Sequence, residues 1–98
     1  MRPKGYTQQQ IETEFITLKG WTITNNILSK EITFKTFAQA FSFMTNVALT
    51  AEKLDHHPDW TNTYNKVIIR LTTHDVGGLT ELDFKLAKKI DKISDNGF

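Results

Sequence analysis

The three histidines of this 98-residue chain all fall within residues 52–83. His56 and His57 are adjacent and precede Pro58, and His74 follows a strand-like run of apolar residues. A free imidazole has a pKa of about 6.5, so a histidine side chain can donate or accept a proton at neutral pH. Acid–base chemistry is therefore the first activity that these residue types suggest.

Three interpretations of the histidines remain open on the residues alone. They can be surface side chains without a role, ligands of one metal ion, or a metal-free acid–base set. The adjacent His56 and His57 point in different directions from an extended backbone, and the sequence contains no HxH or HxxxH pair. Both observations count against a metal site. The chain has no cysteine, which excludes disulfides, thiolate catalysis and cysteine-bound zinc.

Other polar and aromatic residues of this stretch also have structural explanations. Asp83 stands where it can cap a helix, Trp60 and Tyr64 belong to a predicted strand, and Glu52 can be a solvated helix carboxylate. Their types alone do not assign them to a site.

Length and composition predict one globular domain over residues 1–98. The apolar fraction of 39% and the charged fraction of 23% are typical of soluble proteins. The net charge of +1 gives no field that attracts nucleic acid or an anionic membrane, so we expect no direct binding to either. No run approaches the ~18 apolar residues of a membrane span, and the first residues lack the apolar core of a signal peptide. We therefore expect a cytoplasmic location, with a nuclear one also open.

Hydrophobic periodicity predicts the element order α-β-β-α-β-β-α. Thr7 with Gln10 and Thr80 with Asp83 form capping signals for the first and last helices, and Asn25-Asn26 marks a hairpin turn. This order predicts an α+β fold, in which a four-stranded antiparallel sheet has three helices packed on one face. The predicted segments are a loose lead-in (1–6), helices over 8–18, 36–54 and 82–93, strands over 21–24, 27–34, 60–64 and 67–73, and turns at Asn65-Lys66 and Gly77-Gly78.

The second predicted helix has a wide apolar face. At about 100° per residue, its apolar side chains between Phe37 and Leu54 cover an arc of about 160°. A helix that covers a single sheet usually shows a stripe about 100° wide. The excess suggests two buried surfaces, one against the sheet and one against another helix or another subunit. A helix that is simply apolar within the core is the alternative.

This architecture can bring the histidines together. Pro58 disfavours a helical backbone at His57, so the second helix should end by about residue 55. If that helix packs over the sheet, its end meets the end of the fourth strand. His56, His57 and His74 then lie together beside a glycine-rich loop.

The run EKLDHHPDW, followed by an aromatic residue and by THDVGGLTELD, resembles the pterin-4a-carbinolamine dehydratases. The pattern of that family has an acidic or similar residue, three spacers, His-His-Pro, an aromatic residue, a further His and a later Asp. The resemblance covers about residues 34–91 and is weak at the N-terminal helix and first hairpin. The pattern is filled without a departure by Glu52, His56, His57, Pro58, Tyr64, His74 and Asp83.

The resemblance implies a dehydratase that acts on 4a-hydroxytetrahydrobiopterin without a metal or cofactor, the pterin being its substrate. Such enzymes release water to give quinonoid dihydrobiopterin, which recycles the cofactor of the aromatic amino-acid hydroxylases. His56, His57 and His74 become the acid–base set, with His57 near the departing hydroxyl and the other two exchanging protons with it and with N5. The residues implied to orient these rings or to bind the pterin are Glu52, Asp55, Pro58, Trp60, Thr73, Asp75, Val76 and Asp83.

The resemblance also implies protein partners. Proteins of the family commonly form homodimers or homotetramers through helices. Some mammalian relatives also act as dimerisation cofactors for a homeodomain transcription factor, so a coactivator that binds protein through the second helix is the alternative function. An assembly chaperone, as seen in relatives that lack the pattern, is a third and weaker alternative because the histidines are present here.

Overall fold

The elements of a computed structural model, which describes residues 3–97, follow the predicted order α-β-β-α-β-β-α. Within that part of the chain, three helices accompany a four-stranded antiparallel sheet, which confirms the α+β fold class. Residues 1, 2 and 98 of the predicted domain lie outside the described residues. The elements are α1 (Gln8–Phe15), β1 (Thr22–Thr24), β2 (Ile27–Thr33), α2 (Phe37–Leu54), β3 (Asp59–Thr63), β4 (Lys66–Leu71), a 3₁₀ turn (His74–Val76) and α3 (Glu81–Asp95).

The sheet has the strand order β1-β2-β4-β3, so β2 and β4 form its centre. Successive side chains of a strand point to opposite faces, and the pairing of Leu28 with Leu71 and of Ile32 with Val67 places these four on one face. Leu28, Leu71 and Val67 are buried there, whereas Thr61 on the opposite face is exposed. The helices therefore cover one face of the sheet, as the sequence predicted.

The predicted capping signals are present at the helix starts. The Thr7 side chain accepts a hydrogen bond from the N–H of Gln10, whose side chain accepts from the Thr7 N–H. Thr80 and Asp83 form the same kind of box at the start of α3, and Thr36 caps α2. These bonds satisfy N–H groups that have no partner within the helix.

α2 ends where the proline predicts. Asp55 takes a left-handed backbone conformation (φ 51°, ψ 42°), and the His56 N–H donates to the carbonyl of Ala51. Such a left-handed residue commonly ends a helix and turns the chain away from the helix axis. His56 and His57 consequently leave α2 at the sheet edge that begins β3.

α2 buries one side of its wide apolar arc and exposes the other. Phe43 and Val47 are fully buried, and the helix packs against α3 and β4. Phe37, Phe41 and Leu49 remain 50%, 56% and 62% exposed. The interpretation of α2 as a helix wholly within the core is therefore wrong, and an apolar surface remains on the outside of the chain.

α1 is shorter than the predicted helix over 8–18. It ends at Phe15, and the Thr17 hydroxyl donates to the carbonyl of Glu14 at 2.6 Å, which competes with continuation of the helix. Ile16, which we placed on the apolar stripe, is exposed.

The turn between β3 and β4 lies one residue earlier than predicted, at Tyr64-Asn65. Tyr64 has a φ of 50°, a left-handed conformation that aromatic residues rarely adopt. The Asn62 side chain holds this conformation by donating to the carbonyls of Tyr64 and Lys66. Asn65 instead binds the end of β2, where its side chain donates to the carbonyl of Phe34 at 2.8 Å.

The lead-in over residues 1–6 is not loose where the structure describes it. The Tyr6 N–H donates to the carbonyl of Leu79 at 2.7 Å, and the Tyr6 ring stacks on Phe84 with 5.8 Å between centroids. Burial, reinforced by the nearby carboxylate of Glu14, raises the pKa of Tyr6 above 10.0. Residues 1 and 2 of the lead-in lie outside the described residues.

Candidate active site

The end of α2 and the end of β4 lie together, and this juxtaposition brings all three histidines to one pocket. His56 and His57 follow α2, and His74 begins the 3₁₀ turn after β4. The pocket has a volume of about 180 Å³, and we call it the histidine pocket. Its lining consists of His56, His57, Thr72, Thr73, His74 and Asp75.

His56 is the buried histidine, only 5% exposed. Its Nε2 lies 2.6 Å from Oδ1 of Asp83, which is itself fully buried. Oδ2 of Asp83 accepts from the hydroxyl of Thr73 at 2.8 Å and from the N–H of Thr80 at 2.9 Å. Because the carboxylate accepts from all its other partners, we assign the hydrogen of this contact to Nε2 of His56. Nδ1 is then the ring nitrogen that remains for a ligand.

Asp83 thus combines a local role with a distant one. It closes the capping box of α3, near a helix N-terminus that favours negative charge. It also holds His56, which is 27 residues away in the sequence. The Thr73 and Thr80 hydroxyls complete the network at 2.9 Å from each other. The buried carboxylate of Asp83 therefore links the start of α3 to Thr73 after β4 and to His56.

His57 has a carboxylate partner in a different environment. Its Nε2 lies 2.8 Å from Oε1 of Glu52, and the two side chains are 55% and 79% exposed. An ion pair this exposed contributes little to stability because water and salt screen it. The two adjacent rings point to different partners, as an extended backbone at these positions predicts.

His74 lies on a short loop that backbone hydrogen bonds close at its base. Thr73 and Gly78 pair as an antiparallel bridge, with each N–H donating to the carbonyl of the other residue. Gly77 has a φ of 68°, a left-handed conformation that costs glycine little. The Thr72 hydroxyl donates to the carbonyl of Asn26 in the first hairpin turn at 3.0 Å. The fourth strand therefore ends at Leu71, two residues earlier than predicted, and Thr72 and Thr73 serve this loop.

Comparisons with known proteins agree with this geometry. A family model described as pterin 4 alpha carbinolamine dehydratase matches residues 4–93. The chain belongs to the pterin-4a-carbinolamine dehydratase family. The match includes the N-terminal helix and the first hairpin, where the sequence resemblance was weak.

Relatives of this dehydratase family match along most of the chain. A protein of Sinorhizobium fredii is 51% identical over 94% of the chain and 90% of its own length. A protein of Prochlorococcus marinus strain NATL2A is 59% identical over 74% of the chain and 77% of its own length. Both proteins are named as pterin-4-alpha-carbinolamine dehydratases, and both names mark that assignment as provisional.

Two solved structures share the fold. The crystal structure of a transcriptional coactivator/pterin dehydratase from Brucella melitensis superposes with a TM-score of 0.89, at 41% identity, over 92% of this chain and 98% of that one. A pterin dehydratase-like protein, identified as a RuBisCO assembly factor in the alpha-carboxysome, has a TM-score of 0.63 over 76% of the chain. At 21% identity the second comparison supports the fold alone.

Four of the remaining residues that the dehydratase pattern suggested line one of two cavities. Asp75 and Thr73 line the histidine pocket, whereas Pro58 and Trp60 line a neighbouring cavity that also includes Glu52 and His57.

Three further positions lie outside both cavities. Asp55 ends α2, Val76 is partly exposed on the 3₁₀ turn, and Tyr64 lies at the far end of β3 from Pro58. The structure places none of these three among the lining residues.

The sequence analysis missed two polar residues of the site. Thr72 lines the histidine pocket, and the Thr80 hydroxyl bonds to Thr73. Thr80 was assigned only a capping role, and a residue at the end of a strand gives no local signal of a pocket. Within residues 3–97, no group of three His, Asp or Glu side chains is arranged to hold a metal ion, and no helix is long and apolar enough to cross a membrane.

Proposed function

We propose that this chain dehydrates 4a-hydroxytetrahydrobiopterin to quinonoid dihydrobiopterin, which returns the pterin to the cycle of the aromatic amino-acid hydroxylases. One observation carries the proposal. Three imidazoles line a single pocket, and two of them are held by carboxylates, His56 by Asp83 and His57 by Glu52. Membership of the dehydratase family supports the choice of substrate.

The proposed reaction needs only proton transfer. The bond between C4a and the hydroxyl oxygen breaks, and the lone pair of N5 forms the C4a=N5 double bond. Because hydroxide is a poor leaving group, an acid protonates the departing oxygen, and a base takes the proton from N5. Each transfer by a positioned side chain typically contributes about 10²–10⁴-fold to the rate. The reaction as proposed calls for no metal or cofactor.

The environments of the histidines support a division of their roles. His57 is half exposed beside Glu52, and we assign it to the departing hydroxyl, because the released water can leave directly to solvent. His56 presents Nδ1 as an acceptor while Asp83 retains the hydrogen on Nε2. His56 and His74 then exchange protons with N5 and restore the starting protonation of His57.

The breakdown of the 4a-carbinolamine, generated by a phenylalanine hydroxylase, tests this proposal. We expect the wild-type chain to accelerate the breakdown and His74→Ala to lower the acceleration by about 10²-fold or more. His74 is exposed on the surface of the pocket, so the variant should remain folded. Thr24→Ala, on the uncovered face of the sheet, is the control and should match the wild type. A folded wild-type chain that does not accelerate the reaction would overturn the proposal.

We further propose that the chain self-associates through α2 as a homodimer or homotetramer. Phe37 and Phe41 are both about half exposed, and their rings contact each other with 5.8 Å between centroids. Adjacent exposed aromatic side chains of this kind mark interaction surfaces. A strictly monomeric species in light scattering would contradict the assembly.

A coactivator role is the second candidate function. The same exposed aromatic pair on α2 could bind another protein, and the Brucella melitensis relative is described as a transcriptional coactivator/pterin dehydratase. The two functions separate experimentally. A coactivator requires the α2 surface and not His74, whereas the dehydratase requires His74.

A further inference from the structure

Behind the histidine pocket, two buried threonine hydroxyls lie in a row that leads to Asp83. The Oγ1 atoms of Thr73 and Thr80 are 2.9 Å apart, and both side chains are buried. The Thr73 hydroxyl lies 2.8 Å from Oδ2 of Asp83, and the Thr80 hydroxyl lies 3.2 Å from the backbone nitrogen of Leu82. Oδ1 of Asp83 in turn contacts Nε2 of His56. The row therefore connects the backbone of α3 to a histidine of the pocket.

The chemistry of the two ends fixes the direction of the hydrogens in this row. A backbone N–H can only donate and a carboxylate can only accept, whereas a hydroxyl donates one hydrogen and can also accept. Thr73 therefore uses its single hydrogen on Asp83. The hydrogen between the two hydroxyls then belongs to Thr80, which accepts from Leu82 and donates to Thr73. Reversing the row would take the Thr73 donor away from the buried carboxylate.

The other polar groups of Thr73 are also bonded within the protein. Its N–H donates to the carbonyl of Gly78 at 2.9 Å, and its own carbonyl accepts from the N–H groups of Gly78 and Val76. A carbonyl oxygen has two lone pairs, and these two donors use both of them. Although Thr73 lines the histidine pocket, its hydrogen-bonding groups therefore hold the loop and Asp83.

We propose that Thr80 is a positioning residue for the dehydration, which acts through Thr73 on the carboxylate that holds His56. This inference rests on the proposed dehydratase function. By donating to the Thr73 oxygen, the Thr80 hydroxyl keeps the Thr73 hydrogen on Oδ2 of Asp83. Oδ2 is then held by two donors, the Thr73 hydroxyl and the Thr80 N–H, and Oδ1 is directed at His56. Without the Thr80 hydroxyl, the Thr73 hydroxyl is free to rotate, and the carboxylate loses an anchor.

The variants Thr80→Val and Thr80→Ser test this role. Valine has nearly the shape of threonine but no hydroxyl, whereas serine keeps the hydroxyl. Thr80→Val should lower kcat for carbinolamine dehydration by about two- to tenfold, the scale of one neutral hydrogen bond, and Thr80→Ser should keep kcat within about twofold of the wild-type value. KM should not change in either variant, because Thr80 is not among the residues that line the histidine pocket.

The control must lose a helix cap without touching the row, because Thr80 also caps α3. Thr36 caps α2 by accepting from the N–H of Gln39. It lies at the opposite end of this 18-residue helix from His56, about 27 Å away along the axis. Thr36→Val should therefore lower Tm while kcat stays at the wild-type value.

A double variant tests whether Thr80 acts through Thr73. Thr73→Val removes the hydroxyl that donates to the charged carboxylate, so it should lower kcat more than Thr80→Val does. Adding Thr80→Val to Thr73→Val should then lower kcat no further, because the hydroxyl on which Thr80 acts is already absent. Additive losses are the result expected of two independent residues.

A proton NMR spectrum follows His56 without depending on activity. The hydrogen on Nε2 of His56 lies in a short bond of 2.6 Å to a carboxylate, so its resonance should lie far downfield. Thr80→Val should move this resonance upfield, because the carboxylate is held less firmly. Thr80→Ser and Thr36→Val should leave the resonance in place.

The outcomes separate this inference from the function on which it rests. If the wild-type chain does not accelerate the breakdown, the dehydratase proposal fails, and the NMR comparison alone decides whether Thr80 positions His56. If the wild-type chain is active, an unchanged kcat in Thr80→Val overturns the inference. Equal losses of kcat in Thr36→Val and Thr80→Val, or additive losses in the double variant, would also overturn it.

Discussion

Replacing Asp83 with Asn should separate the capping role of this residue from its role at His56. The amide has nearly the shape of the carboxylate, so its remaining oxygen can still accept from Thr80 and Thr73. The NH₂ group then faces Nε2 of His56 and can only donate. His56 must then lose the hydrogen on Nε2 and carry one on Nδ1 instead. Nδ1, the ring nitrogen that remains for a ligand, thereby changes from an acceptor to a donor.

The expected loss of stability follows from the contacts. A hydrogen bond to a charged group contributes about 1.5–3 kcal/mol and one between neutral groups about 0.5–1.5 kcal/mol. The variant keeps a hydrogen bond to His56 but makes it a neutral one, which weakens this contact by about 1–2 kcal/mol. A loss of about 2 kcal/mol lowers Tm by roughly 8–16 °C in a domain of this size. Typical domains have about 5–15 kcal/mol of stability, so the variant should remain folded at room temperature. Its kcat for carbinolamine dehydration should fall by about 10²-fold or more.

Asp91→Asn is the matched control, because it makes the same change on the same helix outside the histidine pocket. The Asp91 carboxylate accepts from Nε1 of Trp21 at 2.9 Å and from Nζ of Lys30 at 2.8 Å. This variant should also lose stability in urea unfolding while its kcat stays at the wild-type value. If folded Asp83→Asn keeps the wild-type kcat, the assigned orientation of His56 is refuted. Equal losses of kcat in both variants would point to general destabilisation instead.

Two further predictions concern groups outside the histidine pocket. Tyr64→Phe leaves Tyr6 as the only phenol of the chain, and because burial raises the pKa of Tyr6, its absorbance titration should have a midpoint above pH 10. The neutral Tyr6 phenol therefore stabilises the folded chain below pH 10, and this stabilisation is lost as the pH rises through the folded-state pKa of Tyr6. A midpoint at or below pH 10 in the folded chain would contradict the packing of Tyr6. Phe41→Glu should reduce the mass measured by light scattering. It should leave the stability of the monomer unchanged, because Phe41 is exposed on the isolated chain. Ser42→Glu, at the next position and also exposed, is the control and should leave the mass unchanged. Equal masses for the two variants would exclude Phe41 from the interface.

Features that depend on neighbouring residues could be predicted from the sequence. The capping boxes at Thr7 and Thr80 form within four residues, and Asn25-Asn26 adopts positive φ at both positions, as a tight hairpin turn requires. Pro58 located the end of α2 because its effect on the preceding backbone is local.

Features that depend on distant contacts could not be placed in this way. An Asn at the first turn position is the favoured local pattern, so Asn65-Lys66 was the natural prediction for the second hairpin. The structure places Tyr64 there because the Asn65 side chain donates to the carbonyl of Phe34, just after β2, and the Asn62 side chain holds the turn. Strand periodicity carries no information about either bond.

The histidine pocket also combines features that could be predicted from the sequence with features that could not. The meeting of the three histidines could be predicted, because it follows from packing α2 over the sheet. The family resemblance implied that Asp83 orients a histidine ring or binds the pterin. The residues alone did not predict that its partner is His56, since the capping role already accounted for the carboxylate.

The attachment of the His74 loop has a consequence for how a ligand enters. The loop is closed at its base by the bridge between Thr73 and Gly78, and is held from outside by Thr72 on the first hairpin and by the Tyr6 contact to Leu79. A loop fixed on three sides does not act as a lid, so substrate binding incurs no cost for ordering the backbone. Stopped-flow binding should accordingly show a single phase that is linear in ligand concentration, and turnover should not be limited by loop opening.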